Sequence, residues 1–138
     1  MTSGRQLVAG YSQTPLATKL GIRPGDAVAL LHAPDGVALV LPDGVAVKRR
    51  AVGRADVVVE FTTRSADLEG RIDQLASMVR PAGGLWIAWP KRASGMTTDV
   101  DEHVVRGLAL DRGLVDNKVC AIDATWTGLR IVWRVTNR

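Results

Sequence analysis

Residues 55–90 read ADVVVEFTTRSADLEGRIDQLASMVRPAGGLWIAWP and carry the strongest structural pattern in the chain. Five of its first seven residues are apolar, including three consecutive valines, which is typical of a buried strand. Apolar residues then recur at helical spacing, at Leu68, Ile72, Leu75 and Val79. The pattern predicts a helix that Ser65 caps and Pro81 stops. A second apolar strand, 85–89, follows, so the stretch predicts a parallel β-α-β unit.

Shorter elements are predicted before this unit. Thr14 and Pro15 can open a short helix that Gly21 closes, because proline fits the first turn and glycine the left-handed end of a helix. A Pro-Gly turn leads into an apolar strand over 27–31. A short strand over 45–48 completes this half of the chain.

A helix and a hairpin are predicted after it. Asp99 and Glu102 have the spacing of a capping box, and the helix that they begin should end at Gly113. Strands over 117–122 and 129–135 then flank a loop long enough for an antiparallel hairpin.

Together these elements predict one α/β domain over residues 1–138, of Rossmann-like, three-layer architecture. The sheet should be mostly parallel, with about six strands and a C-terminal antiparallel hairpin. A chain of 138 residues suits a single core. Residues 1–11 lack periodicity and are expected to form a loose N-terminal arm.

The composition narrows the function classes. Hydrophobic residues make up 46% and charged residues 23% of the chain, as in an ordinary globular protein. We expect a cytoplasmic protein, because the sequence has neither a long apolar run nor the pattern of a signal peptide. Its one cysteine, Cys120, excludes an internal disulfide, and His32 and His103 give no metal motif. The net charge is +4, but the basic residues are scattered, so nucleic acid is not expected as a partner.

Three segments resemble class I S-adenosylmethionine-dependent methyltransferases: LGIRPGDAV at 20–28, ADVVV at 55–59 and PAGGLWIA at 81–88. In that family the first segment leads into strand one, the second is the central fourth strand, and the third is the turn into strand five. The C-terminal hairpin is similar to the family's sixth and seventh strands. The resemblance implies a methyltransferase-like fold.

Two features depart from that family. A cofactor binder needs a glycine-rich turn after strand one, but residues 32–36 read HAPDG and contain one glycine. After strand two, where an acid would accept the ribose hydroxyls, the chain has Lys48-Arg49-Arg50. We therefore expect no cofactor, and in particular no binding of S-adenosylmethionine.

A narrower resemblance covers nearly the whole chain. The segments YSQTPL at 11–16, WPKRASG at 89–95 and VCAIDATWTGL at 119–129 are similar to those of a group of short bacterial proteins classed as a domain of unknown function. This resemblance implies a fold and assigns no activity.

Candidate site residues follow from the predicted topology, because ligands of open parallel sheets bind beyond the carboxyl ends of the strands. The loop after the strand 85–89 carries two cations and a hydroxyl just before a helix N-terminus, which favours an anion. The predicted small-anion site comprises His32, Lys91, Arg92, Ser94 and Gly95. The predicted pocket wall comprises Thr62, Thr63, Trp89, Asp123 and Trp126. Asp99 and Asp101 oppose this site, because they compete for the same helix N–H groups.

The sequence favours a non-catalytic binding or interaction module for a small phosphorylated or carboxylated molecule over an enzyme. The alternative is a divergent enzyme, either a methyltransferase or an acid–base catalyst that uses His32 and Lys91. A homodimer is also expected, because the last strand, with Leu129, Ile131 and Trp133, is apolar for a sheet edge.

Overall fold

The computed structural model describes residues 15–37 and 39–138. Its helices and strands are, in chain order, α1 (Leu16–Lys19), β1 (Ala27–Leu31), β2 (Ala46–Lys48), β3 (Ala55–Phe61), α2 (Ser65–Met78), β4 (Val79–Pro90), α3 (Glu102–Leu110), β5 (Leu114–Ala121) and β6 (Trp126–Trp133). Short 3₁₀ turns cover Arg92–Ser94 and Val135–Asn137. The predicted arm, 1–11, and the predicted cap Thr14 lie outside the described residues.

The strands form one six-stranded sheet in the order β2-β1-β3-β4-β6-β5. The first four strands are parallel, and β6 pairs antiparallel with both β4 and β5. The predicted Rossmann-like α/β fold, with a mostly parallel sheet and antiparallel C-terminal strands, is confirmed at this level.

The C-terminal strands begin three residues earlier than predicted and end one to two residues earlier. They cover 114–121 and 126–133, so Trp126 is in a strand and not in a loop. The prediction that the last strand is a sheet edge is wrong, because β6 lies between β4 and β5. The edges are β2 and β5.

The predicted N-caps of α2 and α3, Ser65 and Asp99, are both wrong because these two residues bind each other. Asp99 does not begin α3, because its two carboxylate oxygens accept the N–H and the hydroxyl of Ser65, each at 2.7 Å. Ser65 is therefore the first residue of α2 and not its cap, and Arg64 precedes it without a side-chain cap. Asp101 caps α3 instead, with Oδ1 2.9 Å from the Val104 nitrogen.

The sheet has a hydrophobic core on each face. Helices α2 and α3 cover one face, and α1 with the loop after β1 covers the other. Buried Trp86 fixes α1 to the sheet, since its indole N–H donates to the Leu20 carbonyl at 2.9 Å. Within the described residues between β1 and β2 there is no helix, and a loop packs on the sheet in its place. Among the described helices, none has the length and apolar composition to cross a membrane.

Candidate functional site

A histidine and a buried glutamate meet at the carboxyl ends of β1 and β3. Leu31 and Glu60 are paired in the parallel ladder, so the residue after Leu31 faces the end of β3. His32 Nδ1 lies 2.8 Å from Glu60 Oε1. Glu60 is fully buried, whereas the His32 side chain is 53% exposed. The pair therefore has one end inside the protein and one end at the surface.

The backbone at His32 is strained. Its φ is +56°, the only positive value at a non-glycine residue in the described part of the chain. A left-handed residue costs an L-amino acid roughly 1–2 kcal/mol. The bond to Glu60 compensates part of this cost, and the turn directs the imidazole back across the end of β3.

Arg71 of α2 completes the cluster. Its Nη1 lies 2.9 Å from Glu60 Oε2, so each oxygen of the buried carboxylate has its own partner. Burial of a carboxylate is costly without such partners, and here both are charge-assisted donors when His32 is protonated. Arg71 is 36% exposed and keeps donors free for a ligand.

The cluster opens into a cavity of about 300 Å³. The residues that line it come from the ends of β3 and β6, from α2, and from the loops after β1, after β3 and before α3: His32, Pro34, Phe61, Thr62, Thr63, Asp67, Arg71, Met96 and Trp126. The rings of Phe61 and Trp126 meet edge to face, with centroids 5.2 Å apart. The cavity thus combines an aromatic wall with a carboxylate, a guanidinium and an imidazole, as ligand sites commonly do.

The structure divides the predicted anion site. His32 lines the 300 Å³ cavity, whereas Arg92 lines a neighbouring cavity of about 390 Å³. Met96 lines both cavities. Ser94 accepts the Met96 N–H at 3.1 Å, and Gly95, with φ +79°, ends the 3₁₀ turn. Lys91 donates its backbone N–H to the Thr125 carbonyl at 2.7 Å.

Carboxylates surround the helix N-terminus that was expected to attract the anion. The cavity next to it is lined by Asp99, Asp101 and Glu102, with Arg92 as its cation. Asp101 already accepts from the first turn of α3. Hydrogen bonds from the Ser65 N–H and hydroxyl lower the pKa of Asp99, which keeps its charge in place at neutral pH. These groups leave little positive field for an anion there.

The predicted wall residues fall into three groups. Thr62, Thr63 and Trp126 line the 300 Å³ cavity, and Trp89 lines the neighbouring one. Asp123 instead holds the β5–β6 turn, because its Oδ1 accepts the N–H groups of Thr125 and Trp126 at 2.8 Å each.

Sequence reasoning missed the residue that organises the site. Glu60, the carboxylate that acts with His32, lies 28 residues further along the chain, too far for local spacing to connect the two. The signal was an acid inside the apolar run VVVEF, where a fully buried charge needs a partner. Arg71, six residues into α2, was missed because the helix pattern only predicts which face is polar.

A cation ends β2 where a cofactor-binding acid would be expected. Lys48 donates from Nζ to the carbonyls of Val52 and Arg54, at 2.8 and 3.1 Å. Its role here is to close the loop between β2 and β3. Within residues 15–37 and 39–138, no three histidine, cysteine or acidic side chains come together as metal ligands would.

Solved structures of methyltransferases share this fold. Magnesium protoporphyrin IX methyltransferase from Synechocystis PCC 6803 with bound SAH is 14% identical with a TM-score of 0.61, over 94% of this chain and 81% of that one. The same enzyme with bound SAM gives a TM-score of 0.60 at 13% identity, over 94% and 77% of the two chains. A TehB-like SAM-dependent methyltransferase from Corynebacterium glutamicum gives 0.56 at 10% identity, over 96% of this chain and 95% of that one. No protein-family model matches the chain, and no curated protein matches it.

The chain therefore has an α/β fold of the type found in SAM-dependent methyltransferases. These neighbours correct the expectation of a non-catalytic module and of a protein that is not an enzyme, because those named above are methyltransferases, one of them solved with SAH and with SAM bound. The alternative, a divergent enzyme, agrees better with this comparison.

Proposed function

We propose that the chain is a divergent methyltransferase whose active site is the 300 Å³ cavity at the carboxyl ends of β1 and β3. The observation that carries the proposal is the His32–Glu60 pair at the mouth of this cavity. The location of the cavity also supports the proposal, because open α/β sheets bind ligands beyond the carboxyl ends of their strands. A base at this position suits methyl transfer, which often requires the acceptor to lose a proton.

His32 is proposed to take that proton at Nε2. The ionised Glu60 can only accept a hydrogen bond, so the proton of the neutral imidazole lies on Nδ1. The lone pair is then on Nε2, on the exposed side of the ring. Glu60 fixes this tautomer and the ring orientation, and it stabilises the imidazolium after proton transfer, as carboxylates do in histidine dyads. Arg71 holds Glu60 from the other side.

The residues of the cavity fit a sulfonium methyl donor such as SAM, although not through a glycine-rich turn. Asp67 would accept from hydroxyl or ammonium groups, and Arg71 would donate to a carboxylate. Phe61 and Trp126 offer an apolar surface to a ring. The left-handed backbone at His32 supplies the sharp turn that glycine supplies elsewhere. When bound, the donor supplies an electrophilic methyl group.

Donor binding tests the first half of the proposal. Isothermal titration with SAM and SAH should give saturable binding to the wild-type chain. Asp67→Asn should weaken it about tenfold, since a charged hydrogen bond contributes about 1.5 kcal/mol or more. Glu69→Gln is the matched control, because it removes an exposed acid of the same helix outside this cavity. A folded wild-type chain that binds neither compound at millimolar concentration would overturn the proposal.

Transfer tests the second half. Radiolabelled methyl transfer to fractionated small molecules and proteins should be detected with the wild-type chain and lost in His32→Gln. The same variant should still bind SAH, because His32 is placed to act on the acceptor. Retention of full transfer in His32→Gln would exclude the proposed base.

A further inference from the structure

A third cavity lies at the amino ends of β1, β3 and β4, on the opposite side from the proposed active site, and takes no part in the proposed reaction. Its volume is about 320 Å³. Three arginines line it, Arg23, Arg80 and Arg130, together with Asp26 and Asp56. Pro81, Ala82 and Gly83 also line it, in the first part of β4, where the pairing register with β3 shifts.

Arg130 is an unusual residue for its position in β6. It alternates with Gly128 and Val132, which are buried, so it lies on an otherwise apolar face of the sheet. Burial, and secondarily the charge of Arg138, lowers the pKa of Arg130. In the described part of the chain no carboxylate lies within ion-pair distance of its guanidinium.

Gly84 makes room for this side chain. A Cβ added at Gly84 would lie 2.8 Å from both Cζ and Nη2 of Arg130, closer than carbon and nitrogen atoms approach without displacement. The guanidinium therefore lies directly over the glycine backbone. The Arg130 side chain is partly buried against Gly84, so it is not a fully solvated surface cation.

The two acids in the cavity are engaged with the backbone. Asp56 Oδ2 accepts the Ala27 N–H at 2.8 Å, and its Oδ1 pairs with Arg80 Nε at 3.2 Å. Asp26 Oδ2 accepts the Arg23 N–H at 2.8 Å. These bonds fix the start of β1 and the turn before it, and they leave the Arg23 and Arg130 guanidinium groups for a ligand.

We propose that this cavity binds a phosphate group, with Arg130 as the central ligand and Arg23 and Arg80 at its sides. Three guanidinium groups against two acids leave the cavity positive, and a guanidinium presents paired donors that match phosphate oxygens. A half-buried cation without a carboxylate partner gains more from an anion than an exposed one. The proposed site lies at the amino ends of the strands and shares no residue with the small-anion site that the sequence predicts at His32 and over residues 91–95.

Titration of the wild-type chain with inorganic phosphate tests the site, at an ionic strength held constant with sodium chloride. The melting temperature should rise saturably, and the ¹⁵N–¹H signals of Gly83 and Gly84 should shift with the same dissociation constant. A phosphate monoester, glycerol phosphate, is titrated in parallel. Equal affinities indicate a free phosphate as ligand, and a tighter ester indicates the phosphate of a larger molecule.

Arg130→Met removes the guanidinium and keeps an apolar stem, and it should weaken phosphate binding about tenfold or more. Arg54→Met, an exposed arginine outside the cavity, is the matched control and should bind as wild type does. If Arg130→Met does not fold, Arg130→Lys keeps the charge without the paired donors and should also bind more weakly. Wild-type affinity in either Arg130 variant would overturn the proposal. So would the absence of a saturable shift, or signal shifts confined to residues 91–95.

Discussion

Glu60 determines the geometry of the candidate site. It is a buried acid whose two oxygens are bound by side chains from different elements, His32 after β1 and Arg71 in α2. Neither partner is predictable from spacing, because they lie 28 residues before and 11 residues after it. The sequence identified His32 by its place after an apolar strand, but it could not reveal its orientation.

Glu60→Gln should destabilise the fold by about 1–3 kcal/mol, since the amide keeps the shape but replaces one acceptor oxygen with a donor that faces Arg71 or His32. The free energy of unfolding in urea measures this. Glu69→Gln, on the exposed face of α2, should change it by less than about 0.5 kcal/mol. Equal stability of the Glu60→Gln and wild-type chains would show that the buried bonds contribute nothing net.

The adjacent glycines of β4 should respond differently to alanine. A Cβ at Gly83 would overlap the Asp56 carbonyl group and lie 3.1 Å from a Val79 methyl, so the backbones of β3 and β4 must separate. A Cβ at Gly84 meets only the movable end of Arg130. Gly83→Ala should therefore cost about 2–3 kcal/mol in urea unfolding, and Gly84→Ala less than half of that. The reverse order would contradict the described register of these strands.

At the scale of elements, the sequence predicted what local patterns determine. Buried strands are recognisable from runs such as 55–61 because a parallel strand covered on both faces is mostly apolar. The predicted caps of α2 and α3 were wrong because Asp99 has the local spacing of a cap but binds Ser65, 34 residues away. Local spacing cannot show that competition, which the packing of α2 beside α3 decides.

The bond between Asp99 and Ser65 connects the starts of α2 and α3, and it should make stability depend on pH. The pKa of Asp99 in the folded chain is below its ordinary value of 3.8, so the folded chain holds this proton less tightly than the unfolded chain. The bond stabilises the fold fully above about pH 4 and is lost as the pH falls through the folded pKa. Asp99→Asn should be less stable than wild type at pH 7, and the difference should shrink towards pH 3.

Unfolding free energies measured from pH 7 to pH 3 test this. Asp123→Asn is the control, because it removes an aspartate that accepts backbone N–H groups within a single turn. A constant difference between Asp99→Asn and wild type over the whole range would show that the charge of Asp99 plays no part in the bond.

At the scale of the whole molecule, the sequence predicted the layers and the mostly parallel sheet but not the strand order. Periodicity shows that a strand has two buried faces, yet it does not show which strand is its neighbour. In the structure β6 is an inner strand, paired with both β4 and β5. Trp133 accordingly packs inward, and its indole N–H donates to the Ala76 carbonyl of α2 at 3.2 Å.

The expected homodimer remains a prediction, and this topology places its contact surface at the β5 edge and not at Trp133. At that edge Val119 is 52% exposed, although Lys118 and a register shift near Asp116 limit how far a second strand could pair.

Light scattering at micromolar concentration should give about twice 14.8 kDa for the wild-type chain and 14.8 kDa for Val119→Lys, which sets like charges against each other across a two-fold axis. Trp133→Ala should leave the mass unchanged and cost about 2–4 kcal/mol of unfolding free energy. A wild-type mass of 14.8 kDa would exclude the dimer, and a mass that changes only in Trp133→Ala would place its contact elsewhere than β5.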